Sequence, residues 1–187
     1  MSEPLQTLAE GALNELRSAV RGIDPAAMAA FVEALASSKR IALHGVGREG
    51  LMMRALAMRL YHMGLDAHVV GDMSTPPLGP GDLLVVSAGP GSFATVAALV
   101  AVAAGDGAHT ACVTAQPSGN VPQACDLVLT LPAQTMADDR GATTSVLPMG
   151  SLYEGAQYIA FELVVLLLRE RLGVTAEAMR ARHTNLE

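Results

Sequence analysis

Apolar residues fall into two kinds of run along this chain, and the two kinds alternate. Leu5, Leu8, Leu13 and Leu16 recur near one face and predict a first helix over about 4–21. Asp24-Pro25 reads as an N-cap followed by a first-turn proline, so a second helix runs through Met28, Phe31, Val32 and Leu35 to near Ser38. Ile41-Ala42-Leu43 is too short for a helix and is closed by glycine, which predicts a buried strand. Gly45, Gly47 and Gly50 follow, and then Leu51, Met52, Ala55, Met58 and Leu60 at helical spacing. Further strands are predicted at 67–70, 83–87, 109–114 and 127–131, and further helices at about 93–104, 151–172 and 175–182. Two loops stand out: 71–82, broken by glycine and proline, and the long polar loop 132–148, of a length that is usually functional or mobile.

This alternation predicts an α/β fold: a three-layer αβα sandwich on a five-stranded, doubly wound parallel sheet with right-handed crossovers. Ligands in such sheets sit beyond the carboxyl ends of the strands, near the switch in strand order. The glycine turns at Gly45 and Gly89 both lie at such ends. No boundary, linker or internal repeat divides the chain, so 1–187 reads as a single domain.

Composition narrows the partners. Hydrophobic residues make up 51% but aromatics only 3%, so the core is aliphatic. A net charge of −6 argues against nucleic acid, which asks for a basic patch. Cys112 and Cys125 lack metal-ligand spacing and read as small buried hydrophobes. The amphipathic start has no secretory apolar region, and the most apolar stretch, 159–168, is interrupted by Glu162 and too short for a bilayer. The expectation is a soluble, cytoplasmic protein with no nucleic-acid or membrane partner.

The chemistry concentrates at the first turn. Glycines uncover backbone N–H groups, and the helix behind them aims its unpaired N–H groups and positive dipole end at the same spot, which suits phosphate or another anion. Gly45 to Gly50 matches the G-x-G-x-x-G pattern, with Asp66 or Asp72 as the distant acid. Dinucleotide binding, a plain structural turn and a sugar-phosphate site all fit that pattern. The chain is short for a dehydrogenase, and no substrate domain follows.

The stretch GVGREGLMMRALAMRLYHMGLDAHVVGDMSTPPLGPGDLL resembles the sugar isomerase (SIS) domain, most of all its 6-phospho-3-hexuloisomerase branch. LPMGSLYEGA and the closing ARHTNLE are similar to two further motifs of that branch, so the likeness spans nearly the whole chain. It implies a five-stranded parallel sheet, a dimer-based homotetramer, a small-molecule sugar or sugar-phosphate partner, no cofactor, and metal-free isomerisation. The reaction implied interconverts D-arabino-3-hexulose 6-phosphate and fructose 6-phosphate through an enediol. A non-catalytic sugar-binding or regulatory module on the same fold is the alternative.

Such a reaction needs a base, donors for the developing oxyanion and a grip on phosphate. Glu154 matches the family's acidic residue at the start of the long helix, whose N-terminus favours its ionised form. His183 matches the RHxNLE ending, and the resemblance implies that it enters a neighbouring subunit's site. Gly47, Arg48, Glu49, Ser74, Thr75, Ser87, Gly89, Gly91 and Ser92 line the two turns and the TPP loop as candidate substrate contacts. The hydroxyls among them serve equally well in local turns. Arg48 is the best phosphate cation of the first turn, Arg59 suits a surface or subunit salt bridge, and His62 and His68 read as structural. No metal ligands are proposed.

Two departures fall on the anion cradle. Glu49 stands where the family has serine in GRSG, and Pro90, which offers no N–H, interrupts the second turn Ser87-Ala88-Gly89-Pro90-Gly91-Ser92. Either Glu49 points into the cradle, or it folds back onto Arg48 or Arg54. The helix through Tyr153, Tyr158, Ile159, Phe161, Val164, Val165 and Leu167 is apolar nearly all round, which predicts a homodimer or tetramer packed through it.

Overall fold

A computed structural model describes residues 4–140 and 144–186. The first three residues, 141–143 of the long polar loop and Glu187 of the RHTNLE ending lie outside the described residues.

Helices α1 (Leu5–Arg21) and α2 (Pro25–Ser37) come first. Asp24 caps α2 as its sequence predicts, its carboxylate accepting from Ala26 N–H at 3.0 Å. Then follow β1 (Ile41–His44), α3 (Gly47–His62), β2 (Ala67–Val69), β3 (Leu83–Ser87), α4 (Ala94–Gly105) and β4 (His109–Thr114). A one-turn helix α5 (Asn120–Gln123), β5 (Leu127–Thr130), the long α6 (Ser151–Leu172) and α7 (Ala176–Ala181) complete the chain. All strand pairs are parallel, in the order β2-β1-β3-β4-β5, so the switch point lies between β1 and β3.

The sheet is covered on both faces, which is why β3 is buried along its whole length. One face carries Ile41, Leu43, Leu83, Val85 and Val113 against α2, α3 and α6. The other carries Ala42, Leu84, Val86 and Cys112 against α4 and α5. Each buried Ile, Leu or Val among them stabilises the fold by about 1.5–3 kcal/mol. Cys112 and Cys125 are free thiols packed together in that second cluster.

α6 is the central helix. It touches α1, α2 and α3 of its own chain, which accounts for much of its all-round apolar surface. Leu16 seats so close to Gly155 that a Cβ there would be 2.9 Å from it. Arg59 of α3 forms a two-point pair with Glu162 at 3.1 and 3.2 Å, and Arg171 pairs with Glu33 of α2. Tyr158, Leu166 and Leu167 remain exposed. Among the described residues α6 alone is long and apolar enough to cross a membrane by length and composition, its 22 residues outrunning the stretch weighed in the sequence. Close to half of that span is buried in the protein's own core.

Candidate active site

The first glycine turn and the start of α3 come from one stretch, and Gly50 sets the distance between them. A Cβ at Gly50 would lie 2.5 Å from the Gly45 carbonyl oxygen, so only glycine lets the helix begin this near the strand end. α3 opens at Gly47, with φ +57°, and places Arg48 and Glu49 in its first turn at the carboxyl edge of the sheet.

α6 brings its own N-terminus to the same edge. Met149 and Gly150 lead into it with φ of 57° and 81°. For Met149 this left-handed backbone costs about 1–3 kcal/mol and must be held by its surroundings. Arg48 helps to hold it: its guanidinium donates to the Met149 carbonyl and, at 2.8 Å, to Ser151 Oγ. The same group stands 2.9 Å from Glu154 Oε2, as an ion pair rather than an aligned hydrogen bond. Arg48 is thus a brace between two helix starts.

Between these helix starts lies a cavity of about 570 Å³, within the range of about 300–1,000 Å³ usual for small-molecule sites. Arg48, Glu49, Tyr153 and Glu154 supply much of its polar wall, and Val46, Pro90, Phe93 and Met136 its apolar one. Thr135, Met136 and Ala137 close one side, which gives the start of the long loop its place. Thr135 Oγ1 donates to Asp138 at 3.2 Å, and Gln116 donates to the same carboxylate at 2.9 Å, tying that loop segment to the end of β4.

Glu49 is 7% exposed. It folds back onto neither Arg48 nor Arg54, the latter facing Asp72 at 3.7 Å. Its Oε2 accepts from Ser87 Oγ at 2.5 Å and from Gly89 N–H at 2.9 Å. Gln157 Nε2 in turn donates to Ser87 Oγ at 2.9 Å, with Tyr153 OH 3.3 Å from the same oxygen. Burial pushes the Glu49 carboxyl above the ordinary glutamate value, while the bonds from Ser87 and Gly89 pull it down.

Glu154 is largely buried too, its side chain 15% exposed. Burial pushes its carboxyl above the ordinary value; Arg48 lowers it and neighbouring Glu49 raises it. The helix N-terminus favours the ionised form of this group, and burial works against it. A carboxyl tuned upward is better matched to proton transfer near neutral pH.

The remaining expected contacts scatter. Gly47, Arg48, Glu49, Ser87, Gly89 and Glu154 converge on the cavity or its floor. Gly91, φ +80°, packs its backbone on Gly119, and Ser92 is exposed. Ser74 and Thr75 line a separate small pocket beside β2, where Thr75 Oγ1 donates to the Val69 carbonyl at 2.6 Å in a local turn. His183 stacks on the buried His62, with ring centroids 5.1 Å apart. That is the far end of α3 from the cavity, roughly 22 Å along the helix by its rise per residue. Asp66, the acid offered for a dinucleotide ribose, is held by His68 and Arg40 just before β2.

Tyr153 and Gln157 were missed as site residues. Tyr153 was read among the apolar positions of a helix expected to pack against a second subunit, and it is 1% exposed within its own chain. Gln157 carried a signal: a fully buried amide on the apolar face of a helix needs a polar partner, and here that partner is Ser87.

Residues 34–157 match the family model described as the SIS domain. The chain is 34% identical over 175 residues to the 3-hexulose-6-phosphate isomerase of Bacillus subtilis, covering 94% of this chain and 95% of that one. It is 34% identical over 174 residues to the protein of the same name from Mycobacterium gastri, covering 93% and 87%. A solved structure from Methanococcus jannaschii, for which the function of 3-hexulose-6-phosphate isomerase has been inferred, superposes with a TM-score of 0.81 at 26% identity over 98% of both chains. With a family match across most of its length and relatives that align end to end, the chain belongs to the SIS-domain family.

Proposed function

We propose that the protein is a sugar isomerase of the 3-hexulose-6-phosphate isomerase type, with Glu154 as the base that shuttles the proton. The relatives bearing that name support a sugar-phosphate isomerase. One observation carries the assignment of roles: a partly buried carboxyl of raised proton affinity, Glu154, stands in the cavity wall with Arg48 against it. In the reaction Glu154 removes the proton from C2 of a 3-hexulose while the C3 carbonyl oxygen gains one. The resulting enediol then loses the proton of its C2 hydroxyl and receives one at C3, so C2 is oxidised and C3 reduced. No metal or cofactor is needed in this reading. Arg48 and the backbone N–H groups at the start of α6 face the charge that develops on the enediol oxygens.

His183 of a second subunit would complete the site in this reading. The exposed Leu51, Met58 and Tyr61 of α3, with Tyr158 of α6, support a homo-oligomer. A non-catalytic sugar-binding module is the second reading, favoured by one feature: the donors at the second glycine turn are already engaged by Glu49.

The pH profile tests the role of Glu154. Carbonyl migration, followed from fructose 6-phosphate and from fructose, should rise with pH as Glu154 loses its proton, on an acid limb above the ordinary glutamate range. Arg48 favours the ionised carboxylate, so Arg48→Gln should move that limb to higher pH. A limb that stays in place in Arg48→Gln would assign it to another group.

A further inference from the structure

The second glycine turn presents two donors side by side, the Ser87 hydroxyl and the Gly89 N–H, and both converge on one oxygen of Glu49. They sit at the carboxyl end of β3, beside the switch point and beneath the cavity. A hydroxyl and a backbone N–H converging at 2.5 and 2.9 Å form the pattern that holds an anionic oxygen. Here the anion is the chain's own. The fit is specific to this pair of residues. A Cβ at position 89 would stand 3.0 Å from Glu49 Oε1 and 2.8 Å from the Tyr153 ring, so the missing side chain of Gly89 is the space that the carboxylate uses. Glu49 lines the cavity, and only its Oε2 carries hydrogen bonds among the described residues, which leaves Oε1 as an acceptor for a ligand hydroxyl.

We propose that Glu49 is a built-in occupant of the anion position of this turn and sets the substrate class. The group seated against it is an uncharged sugar hydroxyl that donates to Oε1, and a phosphoryl group is excluded there by both space and charge. The inference deepens the isomerase reading and rests on it for the word substrate. The occupancy of the turn stands on the geometry alone.

Calorimetric titration at low salt tests it without turnover. Inorganic phosphate, fructose 6-phosphate and fructose are titrated into the full chain as wild type, Glu49→Ser and Glu49→Gln. Glu49→Ser vacates the turn and leaves a hydroxyl, so inorganic phosphate and fructose 6-phosphate should bind about tenfold tighter or better than to wild type. Fructose should bind more weakly, having lost its acceptor. Glu49→Gln keeps the occupant's size and the contacts to Ser87 and Gly89, so it should fold as wild type does and gain little for phosphate. Tight binding of phosphate by the wild type, unchanged in Glu49→Ser, would overturn the proposal. Turnover is scored separately: isomerisation that depends on Glu154 upholds the isomerase reading whatever Glu49 does. A tenfold phosphate gain in a chain that isomerises nothing upholds the occupant and removes the enzyme.

Discussion

Glu154→Gln is expected to lower turnover about 10²–10⁴-fold, the usual loss when a positioned base is removed. The amide keeps the shape of the side chain but cannot take the proton. Folding should be untouched. Arg48 keeps its bonds to Ser151 Oγ and the Met149 carbonyl, so the brace between α3 and α6 survives the loss of its ion pair. Removing a partly buried charge also offsets the lost attraction, because the Glu154 carboxyl already resists ionisation. Steady-state kinetics should therefore show kcat and kcat/KM falling together with KM little changed, as for an interaction made only in the transition state. Wild-type turnover in Glu154→Gln would remove this residue from the mechanism.

Gly50→Ala is the second change with a large expected effect, and it acts through the backbone. The added methyl would stand 2.5 Å from the Gly45 carbonyl oxygen, which cannot rotate aside. The start of α3 must move, and Arg48 and Glu49 move with it. Overpacking of this kind costs about 1–3 kcal/mol. Alanine's better helix propensity returns up to about 1 kcal/mol of that. At about 2–4 °C per kcal/mol for a chain of this size, melting should drop by several degrees. Activity should fall further than stability, since a displacement of about 1 Å in a reacting group can cost about 10²-fold. Gly105→Ala is the control: a methyl there meets nothing within 4 Å, and that variant should melt at or above wild type. Unchanged activity in Gly50→Ala would show that the first turn does not position the site.

The sheet was legible from the chain because each strand is a short apolar run closed by turn residues, as at 83–87 and 109–114. Parallel order followed from the helices between them. Helix α5 was not, because four residues containing Pro122 carry no periodicity. α3 begins at Gly47, ahead of the large apolar residues that start at Leu51, since its first turn meets the end of β1 through backbone at Gly50 and the end of β3 through the polar side chain of Glu49.

At the site, Arg48, Glu49 and Glu154 were legible as charged residues in the first turns of helices at the carboxyl edge. The partner of each was not, and the partners decide the chemistry. Arg48 reads as a free phosphate cation until its bonds to the Met149 carbonyl and Ser151 are known. Ser87 reads as a ligand donor until Glu49 is found against it. Ser74 and Thr75 share a loop pattern with ligand-binding hydroxyls, yet only the backbone path puts them beside β2. Where His183 goes depends on the fold of the last ten residues, and within one chain that is against His62.

Deuterium exchange tests the central claim most directly, because it reports proton abstraction from carbon whichever way the equilibrium lies. Fructose and fructose 6-phosphate are incubated with the protein in heavy water and followed by proton NMR. If Glu154 shuttles a proton through a C2–C3 enediol, wild type incorporates deuterium at C3 of the substrate it accepts, and Glu154→Gln slows that incorporation about 10²-fold or more. No exchange into either sugar, or exchange that persists in Glu154→Gln, would contradict the account.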